Sequence, residues 1–359
     1  MITNSRRFPA HKSREGMSRP SSMRRLYLSL GTTLFTVILL VIFLLPMIYA
    51  ITTGLKGRSP ESDAPWWPGV PETFVYQGQE VNIYRVPIDG TIRDLALVKK
   101  GRTQSTFVDP SDPLLTPIQW QGQWRQLQRN WQFSIRWSNF REAWNLIKFP
   151  LLFRNTMLIA LISTIGILLS SVVVAYGFAR FRIPGKGVLF MVLLATIILP
   201  PQVTQIPTYI IFVRLGWVGT LLPLLVPTFF ANAYSVFILR QFIMTIPREM
   251  DEAAMIDGAN PLRILISIII PQTVPALTAV AMFNFFAVWN DYFGPLIYLR
   301  GNQNLWVISQ GIAQFTAQYG AQPHLTQAAA LLAGALPLII FFAAQKVFLR
   351  GVVVTGVEK

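Results

Sequence analysis

The sequence predicts an all-α polytopic membrane protein of six transmembrane helices, with a β-rich extracytoplasmic insertion between helices 1 and 2. Three observations carry this reading. Of the 359 residues, 52% are hydrophobic and only 13% charged, whereas soluble domains carry about a quarter charged residues. Six apolar runs are long enough to cross a bilayer, which takes about 20 residues of helix. The basic residues gather in alternate flanks of those runs, as the orientation rule for membrane helices requires.

The six spans fall near Leu26–Ile51, Leu151–Phe178, Val188–Pro207, Leu221–Phe242, Val274–Leu299 and Ala328–Phe348. The first is too long for a cleaved signal, and Ile48-Tyr49-Ala50 makes a poor small-residue cleavage site. Arg6, Arg7, Lys12, Arg14, Arg19, Arg24 and Arg25 precede it. Arg180, Arg182 and Lys186 follow the second span, Arg240, Arg248 and Arg263 lie at or beyond the end of the fourth, and Arg350 follows the sixth. The opposite short loops hold only Arg214 and Arg300. Both termini are therefore expected in the cytoplasm. The chain divides into a basic tail (1–25), the first transmembrane helix (26–51), the insertion (57–148), a five-helix core (149–350) with a cytoplasmic loop at 243–271, and a second tail (351–359).

Composition excludes much else. Cysteine is absent, which removes disulfides, thiol nucleophiles and thiolate metal sites. His11 and His324 stand far apart without clustered carboxylates, so no metal site is expected. The net charge of +15 would fit nucleic acid, but the charges sit at the ends of apolar runs rather than on one periodic face.

The insertion holds seven of the ten tryptophans: Trp66, Trp67, Trp120, Trp124, Trp131, Trp137 and Trp144. Trp131, Phe133, Ile135 and Trp137 alternate with polar residues, the period of a half-buried strand. Gln77-Gly78, Asp89-Gly90, Lys100-Gly101 and Gln121-Gly122 mark turns between other short strand-like runs. Asn139 with Glu142 reads as a capping box opening a helix. A Pro-rich irregular loop (Pro60, Pro65, Pro68, Pro71) is the alternative.

The loop between spans four and five differs from the other short loops. Pro247 suits a first helical turn, and Glu249, Asp251 and Glu252 follow where negative charge favours a helix N-terminus. Gly258 can supply a left-handed C-terminal cap. Asn260-Pro261 restarts a second helix, and Pro271 marks its end or a kink. Met250, Ala253, Ala254 and Asp257 share one side of the first helix, small enough for another protein to approach closely. A loop-closing interfacial helix is the plainer reading of such a segment.

Glu252-Ala253-Ala254, three residues, Gly258, nine residues, then Ile268-Ile269-Ile270-Pro271 resembles the signature loop of binding-protein-dependent ABC permeases. The spacing is kept throughout, and Ile270 stands where that family has Leu. The resemblance implies a coupling helix that docks on an ATPase, with Asp251, Glu252, Ala253, Ala254, Asp257 and Gly258 as the coupling residues. Arg154-Asn155-Thr156, Leu199-Pro200-Pro201-Gln202-Val203, Trp289-Asn290-Asp291-Tyr292 and the ending Gly351–Gly356 resemble the maltose-type, carbohydrate branch. The likeness runs from about Phe153 onward, includes the first span, and leaves the insertion uncovered. It implies a sugar permease subunit in a bacterial plasma membrane. Its implied partners are a second permease subunit, a cytoplasmic ATPase dimer that carries ATP and Mg, and an extracytoplasmic solute-binding protein. No Gly-x4-Gly-Lys-Ser/Thr phosphate loop is present, and Gly185-Lys186-Gly187 lacks the rest of one. Hydrolysis is thus expected on a separate subunit, with no cofactor on this chain.

Polar groups inside a span are costly and are functional candidates. On the fifth span Asn284, Val288 and Asp291 share one face, with Trp289 and Tyr292 beside it, so these five are the candidate substrate pathway. Packing against neighbouring helices is the competing reading. A secondary transporter would call for inverted repeats and unwound half-helices, and no repeat is visible. A membrane sensor would need a signalling domain, for which the tail after Arg350 is too short.

Overall fold

The computed structural model describes residues 22–57, 65–88, 90–320 and 322–353. Most of the basic tail, Pro60, Asp89 and the last tail residues lie outside the described residues. By contacts the chain forms two units, Met1–Tyr49 and Ala50–Lys359. Helix α1 (Ser22–Gly54) is apolar along its length, with Pro46 inside it. Thr32 and Thr36 donate their hydroxyls to the Ser29 and Thr32 carbonyls at 2.9 and 2.8 Å, which satisfies them within the helix, as lipid requires.

The insertion is folded and β-rich. A six-strand sheet runs β2 (Thr73–Tyr76), β3 (Gln79–Ile88), β4 (Thr91–Lys99), β5 (Gln104–Val108), β6 (Ile118–Gln121), and β7 (Gln128–Arg129) also pairs with β3. All its pairings are antiparallel. β1 (Gly69–Pro71) and β8 (Trp131–Phe133) form a separate two-stranded ladder. The Trp131–Trp137 alternation thus yields a strand only to Phe133. The Gln77-Gly78 turn has both residues left-handed, φ 51° and 81°, the two-residue geometry that matches strand twist. Gly101 is required for room: a Cβ there would lie 1.8 Å from the Gln104 carbonyl oxygen. Alternation along β3 to β5 sends Tyr84, Val86, Leu95, Leu97 and Phe107 to one face, under Trp120 and Trp124. Ile83, Ala96 and Val108 go to the other.

Helix α2 (Ser138–Leu146) carries no side-chain cap, so the capping box expected at Asn139 and Glu142 is not formed. Asn139 lies inside the helix and donates instead to the Gly54 and Lys56 carbonyls at 2.9 and 2.7 Å. It thereby partners acceptors that the end of α1 leaves open. A left-handed Lys148 turns the chain into α3 (Phe149–Arg180).

The third span is broken. α4 (Lys186–Ile198) and α5 (Pro201–Arg214) lie 98° apart, because Leu199 and Pro200 are extended. A residue before proline avoids helical geometry, and each proline removes a donor. The expected Val188–Pro207 span is therefore two short helices. A short α6 (Leu222–Leu225) and a 3-10 turn lead to α7 (Ala233–Thr245), started by Asn232, whose side chain accepts the Ser235 N–H. After α8 (Glu249–Ile256) the helical run Pro261–Trp289 is unbroken: α9 (Pro261–Ile264), a π turn (Leu265–Ile269) and α10 (Ile270–Trp289). Pro271 does not end it; the wider π turn just before Pro271 adjusts the ladder where its donor is missing. α11 (Phe293–Tyr298), α12 (Ile308–Tyr319) and α13 (Pro323–Val353) complete the chain.

Five helices are long and apolar enough to cross a membrane, or six if α4 and α5 count as one span. The core is built on α3. Its first half packs with α10, α12 and α13 around Leu152, Phe285, Trp289 and Leu325. Its second half packs with α7, α10 and the 246–269 loop around Tyr176, Leu239, Ile243 and Ile269.

Candidate functional site

The 243–271 loop folds as a short helix, a turn and a second helix. α8 starts at Glu249, with Glu249, Asp251 and Glu252 in its first turn; Pro247 lies just outside it rather than within. At its end the Gly258 N–H donates to the Met255 carbonyl at 3.0 Å and the Ala259 N–H to the Ala254 carbonyl at 2.9 Å. These two bonds define a Schellman cap, and Gly258 takes the left-handed φ of 77° that such a cap needs. Asn260 accepts the Arg263 N–H at 2.8 Å and Pro261 opens the next helix.

The faces of α8 differ. Met250, Glu252, Ala253, Met255, Ile256 and Asp257 are exposed, Ile256 at 87%. Ala254 is half-buried against the α3/α7 core. Asp251, grouped with the exposed residues by sequence, is turned inward. Its carboxylate lies 2.8 Å from Nε of Arg180, with both side chains buried. Arg180 also donates to the Ile246 carbonyl at 2.9 Å. Burial pushes the Asp251 carboxyl up, against the pull of Arg180 and Arg248. The end of α3 is thus tied to the start of α8 by a buried ion pair. The sequence shows Arg180 only as an orientation charge; its partner is set by tertiary packing.

The fifth-span residues are spread over several environments. Asn284 donates to Thr164 of α3 at 3.1 Å. Trp289 is 4% exposed, stacks on Phe285 and donates its indole N–H to the Ala333 carbonyl of α13 at 3.2 Å. The helix then stops at Trp289, so the expected continuous face to Leu299 is interrupted. Asn290 returns its amide to the Phe286 carbonyl at 2.8 Å. Asp291 Oδ1 accepts the Gly294 N–H at 3.2 Å, at the start of α11. Tyr292 sits in this break against Phe293. Val288 and Asp291 nonetheless line one cavity of about 50 Å³, with Thr156 of α3 and Leu224 of α6.

Two further residues fix this region. Asn155 donates to the Asn304 and Trp306 carbonyls at 2.8 and 3.0 Å. Thr156 accepts the Ile308 N–H at 2.9 Å. Both are buried on α3 and latch the segment that enters α12. Among the described residues no group of three His, Asp or Glu could hold a metal ion.

An α-helical bundle with five or six candidate spans and a capped, partly exposed loop helix defines a multi-pass membrane protein. A profile of the family described as "Binding-protein-dependent transport system inner membrane component" matches residues 162–354, and the chain belongs to that family. The sn-glycerol-3-phosphate transport system permease protein UgpE of Pectobacterium atrosepticum is 33% identical over 232 residues, 61% of this chain and 80% of that protein. The melibiose/raffinose/stachyose import permease protein MelC of Bacillus subtilis is 31% identical over 220 residues, 61% and 79%. A solved bacterial ABC transporter involved in import of the acidic polysaccharide alginate has a chain with the same fold. Its TM-score is 0.64 at 18% identity, covering 92% of this chain and 99% of that one.

Proposed function

We propose that this chain is one permease subunit of a bacterial ABC importer for a sugar or a related hydroxyl-rich solute. It pairs with a second permease subunit, receives its solute from an extracytoplasmic solute-binding protein, and is driven by ATP and Mg on a cytoplasmic ATPase dimer. Both termini and the 243–271 loop lie in the cytoplasm, and the 57–148 insertion lies outside. The observation that carries this is α8: an acid-started, Schellman-capped helix with Met255 and Ile256 exposed, in the spacing of a permease coupling helix. Exposed apolar side chains on a loop helix mark a surface for a partner. Membership in a binding-protein-dependent family and the solutes named for UgpE and MelC support the substrate class.

On this reading Glu252, Ala253, Ala254, Asp257 and Gly258 form or shape the ATPase contact, and Asp251 positions the helix from behind. Asn284, Val288 and Asp291 are the pathway candidates, with Trp289 and Tyr292 holding the α10–α11 break around them. ATP binding closes the ATPase pair, and the coupling helices carry that movement to the spans, which alternate between outward and inward access.

The test is transport in vesicles. Glu252→Lys reverses a charge on the exposed face, and Gly258→Leu forces a branched side chain into a left-handed conformation at a cost of about 1–2 kcal/mol. Both variants are expected to insert normally and lose ATP-driven uptake. Undiminished uptake by both would end the coupling assignment.

A further inference from the structure

A second cavity lies at the opposite end of α3 from the coupling loop, beside the junction of α2 and α3. Its volume is about 190 Å³, and its walls include Lys148, Gln303, Asn304, Trp306, Gln314 and Gln318. Four of these lining residues, Gln303, Asn304, Gln314 and Gln318, carry side-chain amides, and all four are exposed. Each primary amide offers two donors and an acceptor, and among the described residues none of these four amides has a protein partner. Gln314 and Gln318 are one turn apart on α12, which places them on the same face.

The walls are tied to α3. Asn155 and Thr156 pin the Asn304–Ile308 backbone from inside α3. Gly311 lets α12 lie directly on α3, because a Cβ there would sit 2.1 Å from Leu152 Cδ1. Leu152 and Phe315, both 3% exposed, give the cavity an apolar floor. Lys148 adds an independent observation: it lines the cavity from a left-handed backbone, φ 53°, a conformation glycine adopts more readily. Strained residues cluster at ligand sites.

An apolar floor with a rim of unpaired amides and one ammonium matches a compact molecule with carbon–hydrogen faces, several hydroxyls and at most one anionic group. We infer that this cavity is a binding subsite for one hydroxyl-rich unit of the transported solute, separate from the Val288–Asp291 cavity. The inference rests on the saccharide-import reading above. In it, Gln314 and Gln318 hydrogen-bond the hydroxyls, and Lys148 contacts an acidic substituent where the solute has one.

The test titrates the intact transporter in lipid nanodiscs, by calorimetry, with raffinose and with sn-glycerol 3-phosphate. At least one probe is expected to bind the wild type. Gln314→Ala with Gln318→Ala should raise its Kd about tenfold, while the subunits still co-purify. Lys148→Gly suits its backbone and should fold normally, weakening only the phosphate probe. No binding of either probe to the wild type overturns the subsite, as does an unchanged Kd in the double variant. Uptake of the same probes separates the two readings. Uptake by the wild type with unchanged binding in the variant removes the subsite and leaves the import function. Lost binding in the variant, with no ATP-driven uptake of either probe by the wild type, leaves a binding site for hydroxyl-rich molecules in this cavity and overturns its role in import.

Discussion

Arg180 and Asp251 illustrate how one residue can serve a loop from behind. Their 2.8 Å pair is buried on both sides, so removing either partner strands a charge in a poorly solvated place, at a cost of about 3–5 kcal/mol. Replacing both with apolar side chains removes the cost along with the attraction. Arg180→Met alone or Asp251→Leu alone is therefore expected to lower the thermal stability and yield of the purified protein, and the double variant to recover most of it. A double variant as unstable as the sum of the singles would show that the two side chains do not act together. Nothing local in the sequence announces this pair. Asp251 reads as a helix-start acid and Arg180 as a flanking charge, and both readings are correct as far as they go. Gly258 and Asn260 are the opposite case: their roles as left-handed cap and N-cap rest on chemistry within a few residues, and sequence exposes them fully.

At the scale of elements, the outer sheet shows which patterns carry and which do not. Gln77-Gly78, Lys100-Gly101 and Gln121-Gly122 all fall at strand ends, because turns are decided by backbone freedom at one or two residues. The Trp131–Trp137 alternation stops pairing at Phe133, since a strand lasts only as long as its partner, here the three residues of β1. The fifth span fails for a related reason. Its face extrapolated past Trp289, but Asn290 and Asp291 each bond to backbone and end the helix, as short polar side chains do. Asn-Asp followed by Gly294-Pro295 was the available signal. Phe107, fully buried between Tyr84 and Trp120, anchors one face of the sheet. Phe107→Ala should destabilise the insertion by about 3–5 kcal/mol, read as faster proteolysis within 73–129 while the helical core stays protease-resistant. Equal loss in both regions would mean that the sheet does not fold as its own unit.

For the whole molecule, a multi-span helical chain with five or six candidate spans, a β-rich insertion and the loop with its family resemblance were legible, since each depends on composition or short spacing. Which face of each helix meets which neighbour was not, because that is set by contacts such as Asn155 to Asn304 across 149 positions. The proposed topology, with both termini in the cytoplasm, rests on the basic flanks and is open to direct test. A reporter active only in the cytoplasm, fused after Lys359, should be on, and one active only outside, placed within 101–111, should also be on. Silence from both in stably expressed fusions would reverse the orientation. The break at Leu199–Pro200 bears on how this fold is made. α4 and α5 have 13 and 14 residues, so each is about 20 Å long against a hydrocarbon core of about 30 Å. Neither half can settle in lipid on its own merits as it leaves the insertion machinery. The pair therefore depends on protein neighbours: Phe190 of α4 meets Phe178 of α3, and α4 also touches α7. The place of the third segment is thus set by packing on a helix made before it and on one made after it, rather than by lipid alone, and two prolines create that dependence.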